Sequence, residues 1–277
     1  MISGKTSLIA HIGYPTESFK APMIYNPWFE KQKIDAVVMP MGVRSEDFPA
    51  ALKTIFHFTN IHGALITMPH KVKVMELVDE CSVTAKIAGS ANAVLKQPDG
   101  SLLADMFDGS GFTRGVQRKG FKLEGARCLV LGAGGVGSAI AASLAADGVA
   151  AISLFDTNTI TAENLAARLR AHYPGLEVRT GSQDPACHDL VVNATPLGMN
   201  ADDPLPCDVT RISPSTFIGE VVMKVEITPF LKAVQERGCR YQVGTDMLFE
   251  MIPAYLEFFG FGTSTPNELR AVSQIAY

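Results

Sequence analysis

Leu129-Val130-Leu131 runs directly into Gly132-Ala133-Gly134-Gly135-Val136-Gly137, followed by Ser138 and an alanine-rich stretch to Leu144. A buried strand that passes through G-x-G-x-x-G into a helix is an arrangement that binds a dinucleotide. Gly132 permits the tight turn, Gly134 lets the backbone approach a pyrophosphate, and Gly137 lets the helix pack closely on the strand. Ala133, Gly135 and Val136 complete the loop, and the N–H groups of the helix start face the phosphates. The next strand ends at Asp156, 24 positions beyond Gly132. A carboxylate there accepts hydrogen bonds from ribose hydroxyls and repels a 2′-phosphate, and no Arg or Lys follows within several residues. NAD is therefore expected in preference to NADP.

A second set of groups lies upstream. Thr67-Met68-Pro69-His70-Lys71 follows a strand end, Asn92 lies 21 residues past Lys71, and Asp108 lies 37 past it. Lone Lys, Asn and Asp residues usually mean solvated surface. At a strand end, in a loop and at the joint between two units, they can converge on a cleft facing the cofactor. The histidines show no metal-ligand spacing, so no metal is expected, and His11 stays in the background. His70 reads as a surface residue, and Lys20 and Glu250 as solvated.

The elements that must position these groups alternate. Ser7 to Gly13 reads as a first strand, Ala36 to Met41 as a second that Pro40 stops, and Ala64 to Thr67 as a third. Helical pattern fills the gaps, notably Asp47 to Phe58, where Phe48, Ala51, Leu52, Ile55 and Phe56 recur at 3–4 residue spacing. After Gly109 the composition shifts and a short helix spans Gly111 to Gly120. A second alternating unit then places strands at Cys128–Leu131, Ala151–Phe155, Leu190–Ala194 and Thr216–Glu220, with helix resuming after about residue 244. Such alternation means βαβ units and mostly parallel sheets, an α/β fold.

The chain of 277 residues is nearly twice the ~150 of a typical domain, so two domains or one large one are expected. With 47% apolar and 19% charged residues it is globular, and collagen, coiled coil, disorder and a disulfide scaffold are excluded. A net charge of −4 without a basic run makes nucleic acid a poor partner. Cys128 to Phe155 carries the single charge Asp147, but its glycines argue for strand, turn, helix and strand rather than a membrane span. Met1 to Pro15 has no apolar signal region, and the five scattered cysteines read as small hydrophobes of a reducing compartment, so a cytoplasmic location without membrane contact is expected.

Five motifs in order resemble the shikimate/quinate dehydrogenase family: Thr67-x-Pro69-x-Lys71, the Asn92 loop, Asp108-Gly109, Gly132-Ala133-Gly134-Gly135, and Asn193-Ala194-Thr195-Pro196-Leu197-Gly198-Met199. The resemblance covers nearly the whole chain. It implies an N-terminal α/β substrate-binding domain over 1–108, completed by 245–277, and a Rossmann-type domain over 109–244. It implies that Lys71 and Asp108 form the catalytic dyad and that Thr67 and Asn92 contact a small hydroxy-carboxylate substrate. It also places Asn193, Ala194, Thr195 and Pro196 beside the cofactor, with Val221 and Gly244 near the nicotinamide. Oxidising a secondary alcohol needs a group that takes the hydroxyl proton while hydride leaves for the nicotinamide, and a Lys oriented by an Asp suits that task.

The chain departs from that family where it would hold the substrate. Two serines that ordinarily bind the substrate carboxylate are replaced by Phe19 and Ala21, and a substrate-binding Gln by Met251. The substrate-side Tyr falls at Met223, and the Asn-Thr before the catalytic Asp is Met106-Phe107. Two lost hydrogen bonds to a carboxylate, at about 1.5–3 kcal/mol each, would weaken shikimate binding roughly a hundred- to ten-thousand-fold. Ser18 or Lys20 would compensate if the loop shifts register. The expected activity is dehydrogenation of a shikimate-, quinate- or aminoshikimate-like ring hydroxyl by a monomer or homodimer. The alternatives are a non-catalytic NAD-binding regulator and a reductase of a less polar carbonyl substrate.

Overall fold

The structure is a computed structural model and describes residues 2–17, 19–200 and 202–275. The chain divides into two units, Met1–Phe107 with Ile252–Tyr277, and Asp108–Met251.

The first unit opens with β1 (Ser7–Gly13), α1 (Pro22–Gln32), β2 (Ala36–Gly42), α2 (Phe48–Ile55) and β3 (Ile61–Ile66). β4 (Glu80–Cys81), α3 (Val83–Ala88), β5 (Ala93–Lys96) and β6 (Leu102–Asp105) follow. The sheet order is β2-β1-β3-β5-β6-β4. β1 pairs in parallel with β2 and β3, whereas β5 pairs antiparallel with both β3 and β6. Sequence reading passed over β5 and β6, although Pro98-Asp99-Gly100 between them is a turn signal. Asp99 Oδ1 accepts from the Ser101 N–H at 2.9 Å, and Gly100 takes a φ of 90°, which only glycine adopts readily.

Pro40 does not stop the second strand: β2 runs through it to Gly42. β2 is an edge strand, where a residue without an N–H is tolerated. α2 is shorter than the expected 47–58, because His57 and Phe58 bond to carbonyls three residues back and tighten the last turn. α1 buries Ile24, Tyr25, Trp28 and Phe29. Its internal Pro27 has no N–H for the carbonyl of Met23, and the backbone N–H of Gln274 takes that acceptor instead, at 2.9 Å.

The second unit comprises α4 (Asp108–Arg118), β7 (Arg127–Leu131), α5 (Gly135–Ala146), β8 (Ala151–Phe155), α6 (Thr159–His172) and β9 (Glu177–Thr180). β10 (Leu190–Asn193), β11 (Phe217–Glu220), α7 (Pro229–Glu236) and β12 (Tyr241–Gln242) complete its sheet, whose order is β12-β11-β10-β7-β8-β9 with parallel pairings throughout. α8 (Gly244–Phe258) contains the boundary back to the first unit, to which α9 (Pro266–Val272) belongs. The strand order reverses between β7 and β10, and open α/β sheets bind ligands at such a switch point, outside the strands' carboxyl ends. The stretch that looked membrane-like divides into β7, α5 and β8; α5 is apolar on nearly all sides because it is buried on nearly all sides. Among the described residues no helix is long and apolar enough to cross a membrane.

Asp108 and residues 245–251, expected in the first unit, group with the second. The glycines of α4 explain this. A Cβ on Gly109 would lie 2.0 Å from the Ala139 carbonyl oxygen of α5, and one on Gly111 would lie 2.6 Å from the Met251 Cβ of α8. Helices that approach this closely belong to one packed body.

Candidate functional site

In the second unit the carboxyl ends of adjacent strands form a continuous row. Gly132, just past β7, has a φ of 98°, and a Cβ there would lie 2.7 Å from the Ala194 carbonyl oxygen beyond β10. A Cβ on Gly137 would fall 1.9 Å from the Gly132 carbonyl oxygen, so only glycine lets α5 start this close to β7. Gly134 is the opposite case, because a Cβ there would meet nothing within 4 Å. Space on that side and the helix start behind it suit an anionic pyrophosphate, and the loop residues Gly132 to Val136 fit a dinucleotide. Ser138 Oγ donates to the Ala133 carbonyl at 2.9 Å and fixes the loop from below.

The next two strand ends are tied by a carboxylate that sequence reasoning missed. Glu220, fully buried at the end of β11, accepts from Asn193 Nδ2 at 3.0 Å, Thr228 Oγ1 at 2.8 Å, and the N–H groups of Val221 and Val222 at 2.9 and 3.1 Å. Asn193 Oδ1 accepts from Thr195 Oγ1 at 2.6 Å, and Asn193 Nδ2 also donates to the Leu197 carbonyl. The Asn193-Ala194-Thr195-Pro196 loop and Val221 therefore share one hydrogen-bonded knot. Burial raises the Glu220 carboxyl above its ordinary pKa, against the opposing pull of its donors. Gly244 adjoins the knot, since a Cβ there would sit 2.2 Å from the Val222 carbonyl oxygen.

Asp108 is the first residue of α4 and is buried. Gly111 lies one helical turn on, on the same face, and Met251 packs against it. The structure thus places Asp108 on α4 one turn before the residue that Met251 meets, within the second unit. Glu250, expected to be solvated, is buried and paired with Arg118 through both carboxylate oxygens.

In the first unit three segments interlock at the carboxyl ends of β1 and β3. The Thr67 N–H donates to the Ile12 carbonyl at 2.9 Å, Tyr14 N–H to Met68 at 3.0 Å, and Ala91 N–H to Lys71 at 2.8 Å. A Cβ on Gly13 would lie 2.3 Å from Thr67 Cγ2 and 3.0 Å from the Phe19 ring, so these side chains crowd one spot. Asn92 is buried, and its Oδ1 accepts from the Phe107 N–H at 2.9 Å. Phe19 and Ala21 are both buried. Ser18 lies outside the described residues, and Lys20 is half-buried.

His11, left in the background by sequence reasoning, belongs to this cluster. It projects from β1, is 7% exposed, and stacks on Phe19 with ring centroids 4.0 Å apart. Burial and then the Lys71 charge lower its pKa from 6.5 to about 4. The signal was a polar residue inside the otherwise apolar run Leu8-Ile9-Ala10-His11-Ile12. His70, read as a surface residue, is buried instead, stacked on Phe48 with centroids 4.0 Å apart and bonded to the Val43 carbonyl at 2.9 Å.

Comparison with known proteins accords with this architecture. Residues 11–94 match a family model described as shikimate dehydrogenase substrate binding domain, and residues 114–173 match the ThiF family. Shikimate dehydrogenase (NADP(+)) of Acidiphilium cryptum is 32% identical over 261 residues, covering 94% of this chain and 93% of the relative. The enzyme of that name from Rubrobacter xylanophilus is 33% identical over 277 residues, covering 98% and 97%. Among solved structures, shikimate 5-dehydrogenase from Listeria monocytogenes in complex with shikimate and NAD superposes with a TM-score of 0.90 at 24% identity, covering 98% of this chain and 97% of that one.

These relatives correct the expected preference for NAD over NADP, because the curated ones are named as NADP(+) enzymes. The physical reason lies at Asp156. Its Oδ2 accepts from the Ala133 N–H at 2.7 Å and its Oδ1 from the Asn158 N–H at 2.8 Å. The carboxylate serves the loop's own backbone, so its presence does not report which ribose the loop receives.

Proposed function

The chain belongs to the shikimate dehydrogenase family of oxidoreductases acting on CH–OH groups, and from that premise we propose reversible hydride transfer between a nicotinamide dinucleotide and a ring hydroxyl of a shikimate-, quinate- or aminoshikimate-like substrate. The observation that supports this most is the row of strand ends in the second unit, from the open glycine loop through the Asn193–Glu220 knot to Gly244. A dinucleotide held by the loop of residues 132–136 would supply the nicotinamide as acceptor for hydride from the carbinol carbon. In this reading Lys71 takes up the hydroxyl proton on oxidation and returns it on reduction, with Asp108 as its acidic partner. Thr67 and Asn92 contact the substrate.

Lys71→Ala tests this assignment. Loss of a proton-transfer group costs about 10²–10⁴-fold in rate, so kcat falls by that amount while the Kd for the dinucleotide stays unchanged. Turnover that survives the substitution refutes Lys71 as the proton carrier. A second reading, a reductase of a less polar carbonyl compound on the same scaffold, is favoured by the buried apolar side chains Phe19, Ala21 and Met251. A substrate panel with both alcohols and ketones separates the two.

A further inference from the structure

Within the first unit, the residue before Lys71 is held through both its backbone and its ring. The His70 N–H donates to the Thr67 carbonyl at 2.9 Å, and the His70 carbonyl accepts from the Val74 N–H at 3.0 Å. The side chain is buried, its ring lies nearly parallel to that of Phe48 with centroids 4.0 Å apart, and its Nε2 bonds the Val43 carbonyl at 2.9 Å. A carbonyl only accepts, so Nε2 carries a proton and donates it to that bond. Val43 is anchored in turn, since its N–H donates to the Gly13 carbonyl at the end of β1.

These bonds shape a turn that stands on two buried feet. His70 and Val74 are buried four residues apart, whereas Val72 and Lys73 between them are exposed and Lys71 is half-buried. Val74 is an apolar foot, and apolar contact has no direction, so on its own it would let the turn tilt. His70 supplies direction: the flat stack on Phe48 fixes the plane of its ring, and the bond to Val43 fixes the ring's rotation within that plane. A phenyl ring would fill the same space, and one hydrogen bond adds only about 1 kcal/mol of net stability. Orientation is what the imidazole adds. On its other side the Lys71 carbonyl accepts from the Ala91 N–H at 2.8 Å, next to Asn92. The Lys71 backbone is thus clamped between the ring that sets the turn and the loop that carries Asn92.

We infer that His70 is a positioning residue for Lys71: its bond to the Val43 carbonyl and its stack on Phe48 fix the turn from which the Lys71 amine projects. The inference rests on the reading of Lys71 as proton carrier and adds the group that aims it.

The test reads the Lys71 amine directly as well as turnover. His70→Phe keeps a ring on Phe48 and removes the hydrogen bond, while His70→Gln keeps an N–H donor for Val43. Acetylation of Lys71 by an N-hydroxysuccinimide ester is followed by peptide mass spectrometry, relative to Lys122, whose side chain is 78% exposed. In His70→Phe the Lys71 rate is expected to change about threefold or more against Lys122. With quinate or shikimate kcat is expected to fall about ten- to hundredfold, the scale of loss that a misplacement of up to about 1 Å brings, while KM and the dinucleotide Kd hold. His70→Gln is expected to recover part of both effects. A merely structural role would lower Tm and leave the ratio of Lys71 to Lys122 labelling unchanged. An unchanged ratio in His70→Phe therefore overturns the inference, and so does an unchanged kcat. Should His70→Phe not fold, His70→Leu takes its place under the same criteria. Absence of Lys71-dependent turnover of either acid by the unmodified protein counts against the dehydrogenase reading instead, and the labelling ratio then decides by itself whether His70 sets the amine.

Discussion

The buried imidazole of His11 makes the first unit sensitive to acid in a defined window. In the folded chain its pKa falls from 6.5 to about 4, through burial first and the Lys71 charge second. Between those values the unfolded chain binds a proton that the folded chain refuses, so stability rises with pH across the window and is lost as pH falls through it. Above 6.5 both states are neutral and the contribution is complete. Each pH unit inside the window is worth about 1.4 kcal/mol. The loss attributable to this one residue reaches about 2 kcal/mol at pH 5 and about 3 kcal/mol at pH 4. Burial lowers the pKa of a second histidine, His188, and other groups contribute to the pH dependence as well. The quantity to measure is therefore the difference between the unmodified protein and His11→Leu in urea unfolding at pH 7.5, 6, 5 and 4.5. The difference is expected to shift by about 2 kcal/mol in favour of the leucine variant between pH 7.5 and 5. Parallel curves, or an imidazole proton resonance titrating near 6.5 in the folded protein, would refute the reasoning, because the ring would then be charging in place.

Three further outcomes follow from the second unit. Replacing Glu220 by Gln sets an amide N–H₂ among the donors of Asn193, Thr228, Val221 and Val222. At about 1–3 kcal/mol for each donor left unsatisfied, thermal unfolding should begin several degrees lower. Gly134→Ala and Gly137→Ala should part company: the first meets open space and should weaken dinucleotide binding with an unchanged Tm, whereas the second collides with the Gly132 carbonyl and should lower both. Equal effects on Tm would contradict the packing described for this loop. Asp156→Ala frees the Ala133 and Asn158 N–H groups and should raise the Kd for NADP and NAD alike, measured by fluorescence titration. A change confined to one cofactor would return Asp156 to a discriminating role.

Local chain chemistry was the legible part. The bounds Ser7–Gly13 and Ala151–Phe155 emerge unchanged as strands, because apolar runs ended by a glycine or an aspartate leave little choice. The glycine loop was legible for a related reason: positive φ and backbone approach admit few residue types, so the requirement is written in the residue itself. What was not legible depends on partners distant in sequence. His70 reads as surface until Phe48 stacks on it, and Glu250 until Arg118 arrives from another helix. Pro40 reads as a stop because its edge position is a property of the sheet. Asp156 was correctly placed at a strand end but misread in purpose, since the N–H of Ala133, 23 residues earlier, claims its oxygen.

The two units hold their functional groups by different means, and this bears on which of them can vary. In the second unit, glycines set the backbone path at van der Waals limits, and one buried carboxylate ties the ends of β10 and β11. A side chain added at Gly132 or Gly137 disturbs the fold and the end of that sheet together. In the first unit the interlock at β1 and β3 is made by backbone atoms: Thr67 to Ile12, Tyr14 to Met68, Ala91 to Lys71. Such bonds are indifferent to side-chain identity, so Phe19 and Ala21 can stand there with the strands and the Lys71 segment undisturbed. Gly13 marks where that freedom ends, because Thr67 and Phe19 already fill the space of its missing Cβ. Side chains at positions 19 and 21 can thus change on a frame whose backbone bonds hold the Lys71 segment, while the end of the second unit's sheet tolerates little change at Gly132 and Gly137.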